Sequence, residues 1–397
     1  MSPTYVPLIV TIAIQSLTSL SMVAVPVLAP SAAADIGVPA TYVGIFVGLI
    51  YLGAMWTTLL AGGFVRRYGA IRVSQIALLI CATGLLLLVG ASPWFLVPSA
   101  LLIGFGYGPI TPASSHVLMK TTPRDMMALI FSIKQTGVPL GGMLAGLVLP
   151  PLIVTFGWRS GVVAVALACI AVAWLAESTR RQLDTDLHSE YALSLQSIGE
   201  PLKLVWSVPS LRLLGISSFF LSSVQVCLTA FLLPYLTTRM KLPLITAGLV
   251  FSVAQGGGVV GRILWGYLAD RVLSAALMLG ILAVTMTGTS VAAAVISPSA
   301  GLPVLLCLFA LYGAAAIGWN GVYLAEVARQ APSGHTSTAT GGSLVMTFLG
   351  AMVGPPFFGL IAEWSGTYTL SFILTGLPAA ACGIALFRMR GAFVKLA

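Results

Sequence analysis

Charge is scarce in this chain, and negative charge is the scarcer sign. Charged residues make up 7% of its 397 residues, with 10 Asp and Glu against 19 Lys and Arg. A soluble domain carries roughly 25% charged residues because its surface must face water. Together with a hydrophobic content of 58%, this scarcity excludes a soluble globular protein and indicates an integral membrane protein.

Histidine and cysteine are also few, which argues against a metal site or a disulfide framework. The three histidines are scattered at a predicted helix end and in loops, without a cysteine or carboxylate cluster beside them. The five cysteines all fall within apolar runs, where we expect them to pack as small buried hydrophobic residues. The apolar runs contain no nucleophile–base pair either. We therefore expect no metal, no cofactor and no enzymatic activity.

Twelve apolar runs are long enough to cross a bilayer as helices, since a crossing takes roughly 20 apolar residues. The runs lie near 6–29, 41–61, 73–92, 95–119, 126–149, 159–176, 211–235, 245–268, 274–296, 302–327, 338–361 and 368–387. One long polar stretch separates the sixth run from the seventh. The sequence predicts an all-α membrane protein with a six-helix bundle at 1–176, a cytoplasmic linker at 177–210 and a second six-helix bundle at 211–397.

The net charge of +9 reflects topology rather than nucleic-acid binding. With the N-terminus inside and the helices alternating, 14 of the 19 Lys and Arg fall on the cytoplasmic side, three on the opposite side and two within the spans. Cytoplasmic loops of membrane proteins are enriched in positive charge. We expect a multi-pass protein of the cell (inner) membrane, surrounded by lipid, with both termini in the cytoplasm and no nucleic-acid partner.

Two cations lie within the predicted spans. Lys134 falls in the run 126–149 and Arg262 in the run 245–268, and neither run supplies a carboxylate within helical reach. A charge at this depth costs about 3 kcal/mol or more and usually serves a ligand, an ion path or a partner. The pattern predicts a site for a small anion. Other interpretations stay open. Lys134 extends to the membrane rim or is held neutral by burial. Arg262 pairs with a carboxylate of Asp270 or Glu326, of which Asp270 is about 12 Å away along the same helix and too far within it.

Polar and aromatic residues in other spans are candidates for the rest of such a site. Aromatic rings with a few hydrogen-bonding groups suit a small-molecule pocket, although each residue is equally suited to helix packing. The candidate substrate-binding residues, besides Arg262 and Lys134, are Gln15, Tyr51, Tyr107, Gln225, Gln255, Trp319, Asn320 and Tyr323.

The two halves of the chain repeat one another. An offset of 204 superimposes the glycines of the second run on those of the eighth, and an offset of 209 superimposes Gly104 on Gly313 and Gly141 on Gly350. At the first offset Arg262 falls opposite Thr58, so the charge at this position breaks the symmetry. Repeated six-helix halves are typical of one large class of transporters.

A glycine-rich, basic motif occurs twice, at corresponding places in the two halves. The first copy runs from Gly62 through Arg66 and Arg67, and the second runs from Gly266 through Asp270 and Arg271. In this motif the chain resembles the major facilitator superfamily, whose loop signature is Gly-x-x-x-Asp-Arg-x-Gly. The first copy has Arg66 where that signature has Asp.

The resemblance implies a major facilitator fold and a secondary active transporter, expected as a monomer, that works by alternating access. It implies gating roles for the motif residues Gly62, Arg66, Arg67, Gly266, Asp270 and Arg271. Arg262, four residues before Gly266, is similar to the arginine of monocarboxylate transporters and oxalate/formate exchangers. An arginine in this position implies a carboxylate substrate, carried with protons or by exchange. The acid that monocarboxylate carriers have one turn earlier is Gly258 here.

Drug or metabolite efflux by proton antiport is the alternative function. A cation exporter needs a carboxylate within the membrane, whereas the sequence predicts that Asp35, Asp270 and Glu326 lie at membrane edges. A membrane enzyme or a transporter-like sensor is a third class, disfavoured because no catalytic cluster or signalling domain is evident.

Overall fold

The computed structural model describes residues 5–123, 126–185, 187, 199–333 and 335–388. Within these residues, twelve helical stretches are long and apolar enough to cross a membrane. The predicted all-α membrane fold with twelve spans is therefore confirmed. The chain divides into two compact units, one of Met1–Ala40 and Leu49–Gln196 and one of Thr41–Gly48 and Ser197–Ala397.

The first six spans are built from eight helices. Helix α1 packs against α7 and α8, and α3 packs against α4 and α8. The helices are α1 (Tyr5–Ile36), α2 (Val43–Tyr68), α3 (Ala70–Leu88), α4 (Leu96–Tyr107), α5 (Ile110–Thr121), α6 (Met127–Gln135), α7 (Gly137–Phe156) and α8 (Trp158–Leu183), with short 3₁₀ turns at Ala40–Tyr42 and Pro93–Phe95.

The last six spans follow a short amphipathic helix. Helix α10 packs against α15, α11 against α13, and α12 against α16. The helices are α9 (Gly199–Ser207), α10 (Pro209–Thr238), α11 (Leu244–Arg271), α12 (Ala275–Val295), α13 (Leu302–Gly318), α14 (Asn320–Gln330), α15 (Thr336–Ser365) and α16 (Tyr368–Arg388). Helix α8 continues past 176 and α10 begins before 211, so the proposed bundle boundaries stay a prediction.

Three of the twelve spans are interrupted in the described part of the chain. Span 4 breaks between α4 and α5 at Pro109, which has no N–H to continue the helical hydrogen bonds. Span 5 breaks at Thr136, three residues before Pro139. Span 10 breaks at Trp319 between α13 and α14, where no proline is present. The apolar pattern predicted each of these spans but not the position of the break within it.

The close approach of two helix pairs depends on glycine. A Cβ on Gly104 would meet the carbonyl oxygen of Ile50, and a Cβ on Gly313 would meet that of Ala254. These are corresponding positions of the repeat, so α2 packs on α4 as α11 packs on α13. A side chain at either glycine would force the backbones apart.

A second contact recurs in both units. Ser19 Oγ donates to the carbonyl of Val138 at 2.7 Å, and Ser222 Oγ donates to that of Thr347 at 2.8 Å. Both hydrogen bonds join the first helix of a unit to the fifth span of the same unit. One expectation about packing is wrong: four of the cysteines are buried, but Cys307 is exposed.

Candidate functional site

Lys134 lies deep within the first unit, near two helix breaks. It is 1% exposed and is the penultimate residue of α6, just before the break at Thr136. Its Nζ donates to the carbonyl of Thr111 at 3.4 Å and to Ser115 Oγ at 3.5 Å. Both acceptors belong to α5, just after the break in span 4. The ammonium group is therefore held inside the unit, against α5.

Two glutamines lie beside the break in span 5. Gln15 is 2% exposed, and its Nε2 donates to Gln135 Oε1 at 3.5 Å. The other amide atom, Gln15 Oε1, is buried and has no hydrogen-bond partner in the described part of the chain. Buried acceptors are normally satisfied by protein or bound molecules. Gln15 thus presents an acceptor that a hydroxyl or amide donor of a ligand would satisfy.

Arg262 holds the break in span 10 of the second unit. Its Nε donates to the carbonyl of Ile317 at 3.2 Å. In an unbroken helix that carbonyl would accept from the N–H of Gly321, but α13 has ended by then. The arginine side chain is partly exposed. One edge of the guanidinium thus fixes the helix break, and its fork geometry suits a carboxylate.

Thr58 makes the corresponding bond in the first unit, which sequence reasoning missed. Its Oγ1 donates to the carbonyl of Gly108 at 2.9 Å. The helical donor for that carbonyl would come from Pro112, which has no N–H. The sequence contained a signal for this bond. Pro112 follows Gly108 by four residues, and Thr58, which carries a hydroxyl, occupies the repeat position of Arg262.

Gln225 organises the polar groups at the break in span 10. Its Oε1 accepts from Trp319 Nε1 at 2.9 Å and from Asn320 Nδ2 at 3.1 Å. Trp319 is fully buried and packs edge to face on Tyr323, with ring centroids 5.2 Å apart. Gln225 and Asn320 are partly exposed. The two aromatic residues therefore support a polar pair that remains accessible.

The other predicted lining residues are more strongly packed. Tyr51 and Tyr107 contact each other edge to face at 6.3 Å within the first unit. Gln255 is 4% exposed in α11, and the hydroxyl of Tyr323 donates to the carbonyl of Ser343 at 3.4 Å. The structure thus gathers Lys134 with Gln15 in one unit, and Gln225 with three predicted neighbours in the other. Their roles in binding stay predictions.

Glu326 is buried within the second unit, and its predicted position near the membrane edge stays a prediction. It is 3% exposed, accepts from Gln330 Nε2 at 2.8 Å, and lies 3.3 Å from Arg329 NH1. In a sequence, the i,i+3 spacing of Glu326 and Arg329 is typical of an ion pair on a solvated helix face. The face of α14 that carries Glu326 instead points inward, so a carboxylate does lie within the second unit.

The motif residues lie at helix ends. Arg66, Arg67, Asp270 and Arg271 are exposed, and a Cβ on Gly62 or Gly266 would meet nothing within 4 Å. Their gating role stays a prediction.

A carboxylate does reach the first copy of the motif, but it comes from the end of α8. Asp184 Oδ1 accepts from the N–H of Ile71 at 2.9 Å, and Asp184 Oδ2 accepts from that of Arg72 at 3.0 Å. Asp184 therefore caps α3, next to a motif whose own acidic position is Arg66.

Comparison with known families agrees with this architecture. The family model described as Major Facilitator Superfamily matches residues 11–343. The chain belongs to the major facilitator superfamily. This facilitator is therefore a membrane transporter and not an enzyme. The narrower likeness to monocarboxylate and oxalate/formate carriers stays a prediction.

Several curated transporters resemble this facilitator along most of their length. It is 23% identical to the hexuronate transporter of Bacillus subtilis, over 92% of this chain and 89% of that protein. It is 24% identical to the gentisate transporter of Corynebacterium glutamicum, over 87% and 76% respectively. It is 27% identical to the gallate transporter of Pseudomonas putida, over 90% and 86%.

Solved structures share the fold at low sequence identity. A bacterial homologue of the human lysosomal transporter Spinster, in an inward-facing and occupied conformation, superimposes with a TM-score of 0.76 and 17% identity, covering 100% of this chain and 99% of that one. The nucleoside transporter NupG superimposes with a TM-score of 0.79 and 16% identity, covering 96% and 99%. These similarities establish the fold alone.

Proposed function

We propose that this facilitator is a secondary active transporter of a small organic anion, a carboxylate, and that it works by alternating access. The observation that carries the proposal is the position of its two intramembrane cations. Lys134 lies beside the breaks of spans 4 and 5, and Arg262 holds the break of span 10. Broken helices and intramembrane charges line substrate sites in transporters.

The chemistry of each cation suits a different part of the task. The guanidinium of Arg262 has donors in a planar fork, which matches the two oxygens of a carboxylate. The ammonium of Lys134 is a compact charge that compensates an anion without requiring one orientation. Gln225 and Asn320 add polar groups near the break in span 10, and Gln15 Oε1 adds an acceptor in the first unit.

The names of the relatives narrow the substrate class. Gentisate and gallate are aromatic carboxylates with hydroxyl groups, and hexuronates are carboxylates of hydroxylated sugars. A hydroxylated carboxylate would satisfy both a cation and the buried acceptor of Gln15. We therefore propose a hydroxylated carboxylate, aromatic or sugar-derived, as the substrate.

Coupling to protons or exchange for a second anion are both consistent with this proposal. Proton antiport with efflux of a drug or metabolite is the alternative, and the buried carboxylate of Glu326 is the feature that favours it. The ion pair of Glu326 with Arg329 opposes it, since the carboxylate is already compensated.

Uptake into proteoliposomes tests the proposal. The purified chain is reconstituted and supplied with radiolabelled gentisate, gallate, benzoate, glucuronate and, for the alternative, a tetraphenylphosphonium cation. We expect saturable uptake of at least one carboxylate, competition by the others, and no movement of the cation beyond that in liposomes without protein. Transport of the cation with no carboxylate uptake would replace the proposal by its alternative.

A further inference from the structure

A groove on the first unit is lined by none of the candidate substrate-binding residues. It has a volume of about 670 Å³ and lies between α2 and α3, with Phe105 and Pro109 of span 4 at its base. One wall of the groove is formed by residues of α2 that occur at every fourth position and therefore lie on one face of the helix. Those wall residues are Trp56, Leu60, Phe64 and Tyr68.

Apolar side chains form most of the groove. The hydroxyl of Thr57 already donates within its own helix to the carbonyl of Gly53 at 3.2 Å. The other polar groups of the lining side chains are the indole N–H of Trp56 at one end and the phenol of Tyr68 at the other. Ile76 in the α3 wall and Trp56 in the α2 wall are 46% and 47% exposed. Between these two ends a polar ligand would find few partners, whereas a hydrocarbon chain would bury apolar surface on both walls.

The length of the groove matches one leaflet of a bilayer. From Trp56 to Tyr68 the α2 wall extends about 18 Å at 1.5 Å per residue. Half of the hydrocarbon core of a bilayer is about 15 Å. A single acyl chain that begins at the Tyr68 end would therefore lie along the groove and end near the bilayer midplane.

The Tyr68 end of the groove is positively charged. Arg67 is exposed, and its Cζ lies 5.4 Å from the centroid of the Tyr68 ring. Arg72 precedes the α3 wall and has a side chain that is 44% exposed, 3.7 Å from the carboxylate of Glu177. The other nearby acid, Asp184, accepts backbone N–H groups of α3. Basic charge therefore surrounds the mouth that a lipid headgroup would occupy.

We propose that this groove binds an anionic phospholipid, with one acyl chain along α2 and the phosphate beside Arg67. The apolar walls explain the hydrocarbon chain, and the basic mouth selects a negatively charged headgroup over a zwitterionic one. Basic residues at the membrane surface favour anionic lipids by about fivefold per residue. The proposed lipid site shares no side chain with the candidate substrate-binding residues and does not depend on the substrate carried.

Native mass spectrometry of the delipidated full-length chain tests the site. The protein is titrated with dioleoyl-phosphatidylglycerol and, separately, with dioleoyl-phosphatidylcholine, and the first binding constant is measured for each lipid. We expect phosphatidylglycerol to bind at least about fivefold more tightly. Arg67→Gln should lower the ratio of the two binding constants by about fivefold. Ile76→Trp, which fills the groove, should weaken phosphatidylglycerol binding at least about fivefold.

Two matched controls keep the test specific. Leu79→Trp changes an exposed residue of α3 outside the groove, and Arg181→Gln changes an exposed arginine at the end of α8. Both controls should bind phosphatidylglycerol like the wild type. Equal binding of the two lipids overturns the proposal, and so does a loss in Leu79→Trp as large as that in Ile76→Trp. An effect of Arg67→Gln without any effect of Ile76→Trp places the lipid outside the groove and also overturns it.

Discussion

Arg262 and Thr58 donate the same hydrogen bond in the two halves of the chain. Arg262 Nε reaches the carbonyl of Ile317 at 3.2 Å, and Thr58 Oγ1 reaches that of Gly108 at 2.9 Å. The donors are 204 positions apart and the acceptors 209, the offsets that superimpose the glycines of the repeat. The bond therefore belongs to the repeated scaffold, whereas the positive charge belongs to the second half alone.

Replacing Arg262 by threonine separates these two roles. Arg262→Thr supplies a hydroxyl of the kind that bonds the corresponding carbonyl in the first half, but it removes the charge. We expect the variant to fold with wild-type thermal stability and to lose carboxylate transport by about 10- to 100-fold, because charge-assisted hydrogen bonds are the stronger class. Thermal unfolding in detergent and uptake into proteoliposomes measure the two effects.

Two further substitutions define the contrast. Arg262→Ala removes both the bond and the charge, so we expect it to be about 1 kcal/mol less stable than Arg262→Thr. Arg262→Lys should transport weakly, since an ammonium group loses the two-pronged geometry. Wild-type transport by Arg262→Thr would show that the guanidinium does not bind the substrate.

Lys134 is the residue for which we predict a role in proton coupling. A buried ammonium and an arriving carboxylate compensate each other's charge, so proton and anion would enter as a neutral pair. We expect an inward proton gradient to drive uptake by the wild type and by Glu326→Gln, but not by Lys134→Gln. Uptake at several imposed pH gradients gives the measurement.

The comparison of Lys134→Gln with Glu326→Gln distinguishes the mechanisms. Both residues are buried and titratable, and each variant replaces a charge by an amide. Loss of gradient-driven uptake in Glu326→Gln alone would assign coupling to the carboxylate. A wild type that ignores the gradient but responds to anion loaded inside would establish exchange instead.

The indole of Trp319 holds Gln225 in place. Trp319→Phe removes one of the two donors to Gln225 Oε1 while it keeps an aromatic ring. We expect KM for the carboxylate to rise about two- to tenfold, the value of one hydrogen bond. Trp265→Phe is the matched control, because Trp265 Nε1 donates to the carbonyl of Ala314 at 2.7 Å. An equal change of KM in both variants would contradict a specific role for Gln225.

Glycine at 313 is required by the approach of α11 to α13. Gly313→Ala places a methyl group against the backbone of Ala254, so we expect it to destabilise the chain by about 1–3 kcal/mol or more. Gly321→Ala meets nothing within 4 Å and should be neutral or stabilising by up to about 1 kcal/mol. The thermal unfolding midpoint should therefore fall in Gly313→Ala and stay at or above the wild-type value in Gly321→Ala.

The sequence predicted the features that depend on composition and period. Run length gave the twelve spans, and the two offsets matched Gly104 with Gly313, which take corresponding places in the packing. The burial of Lys134 also agrees with its place in a long apolar run, whereas the depth of Lys134 and Arg262 in the membrane stays a prediction. These features depend on local composition or on the internal repeat, so a single sequence is enough to predict them.

The features that the sequence did not predict depend on contacts between helices. Span 10 breaks without a proline, where Arg262 of one helix takes the carbonyl of Ile317 in another. Glu326 is buried because α14 turns that face inward, which its spacing from Arg329 does not reveal. Cys307 is exposed although its run is as apolar as those of the buried cysteines. Hydropathy distinguishes apolar from polar segments but not a lipid-facing side from a packed one.

The breaks in spans 4 and 10 also have a mechanical consequence. Helices α5 and α14 are segments of 12 and 11 residues, each joined to the rest of its span at a break in the helix. Each segment is therefore a lever about 16–18 Å long at 1.5 Å per residue. A rotation of about 10° at such a pivot displaces the far end by about 3 Å over that length, roughly the diameter of a water molecule, while the other half of the span stays still.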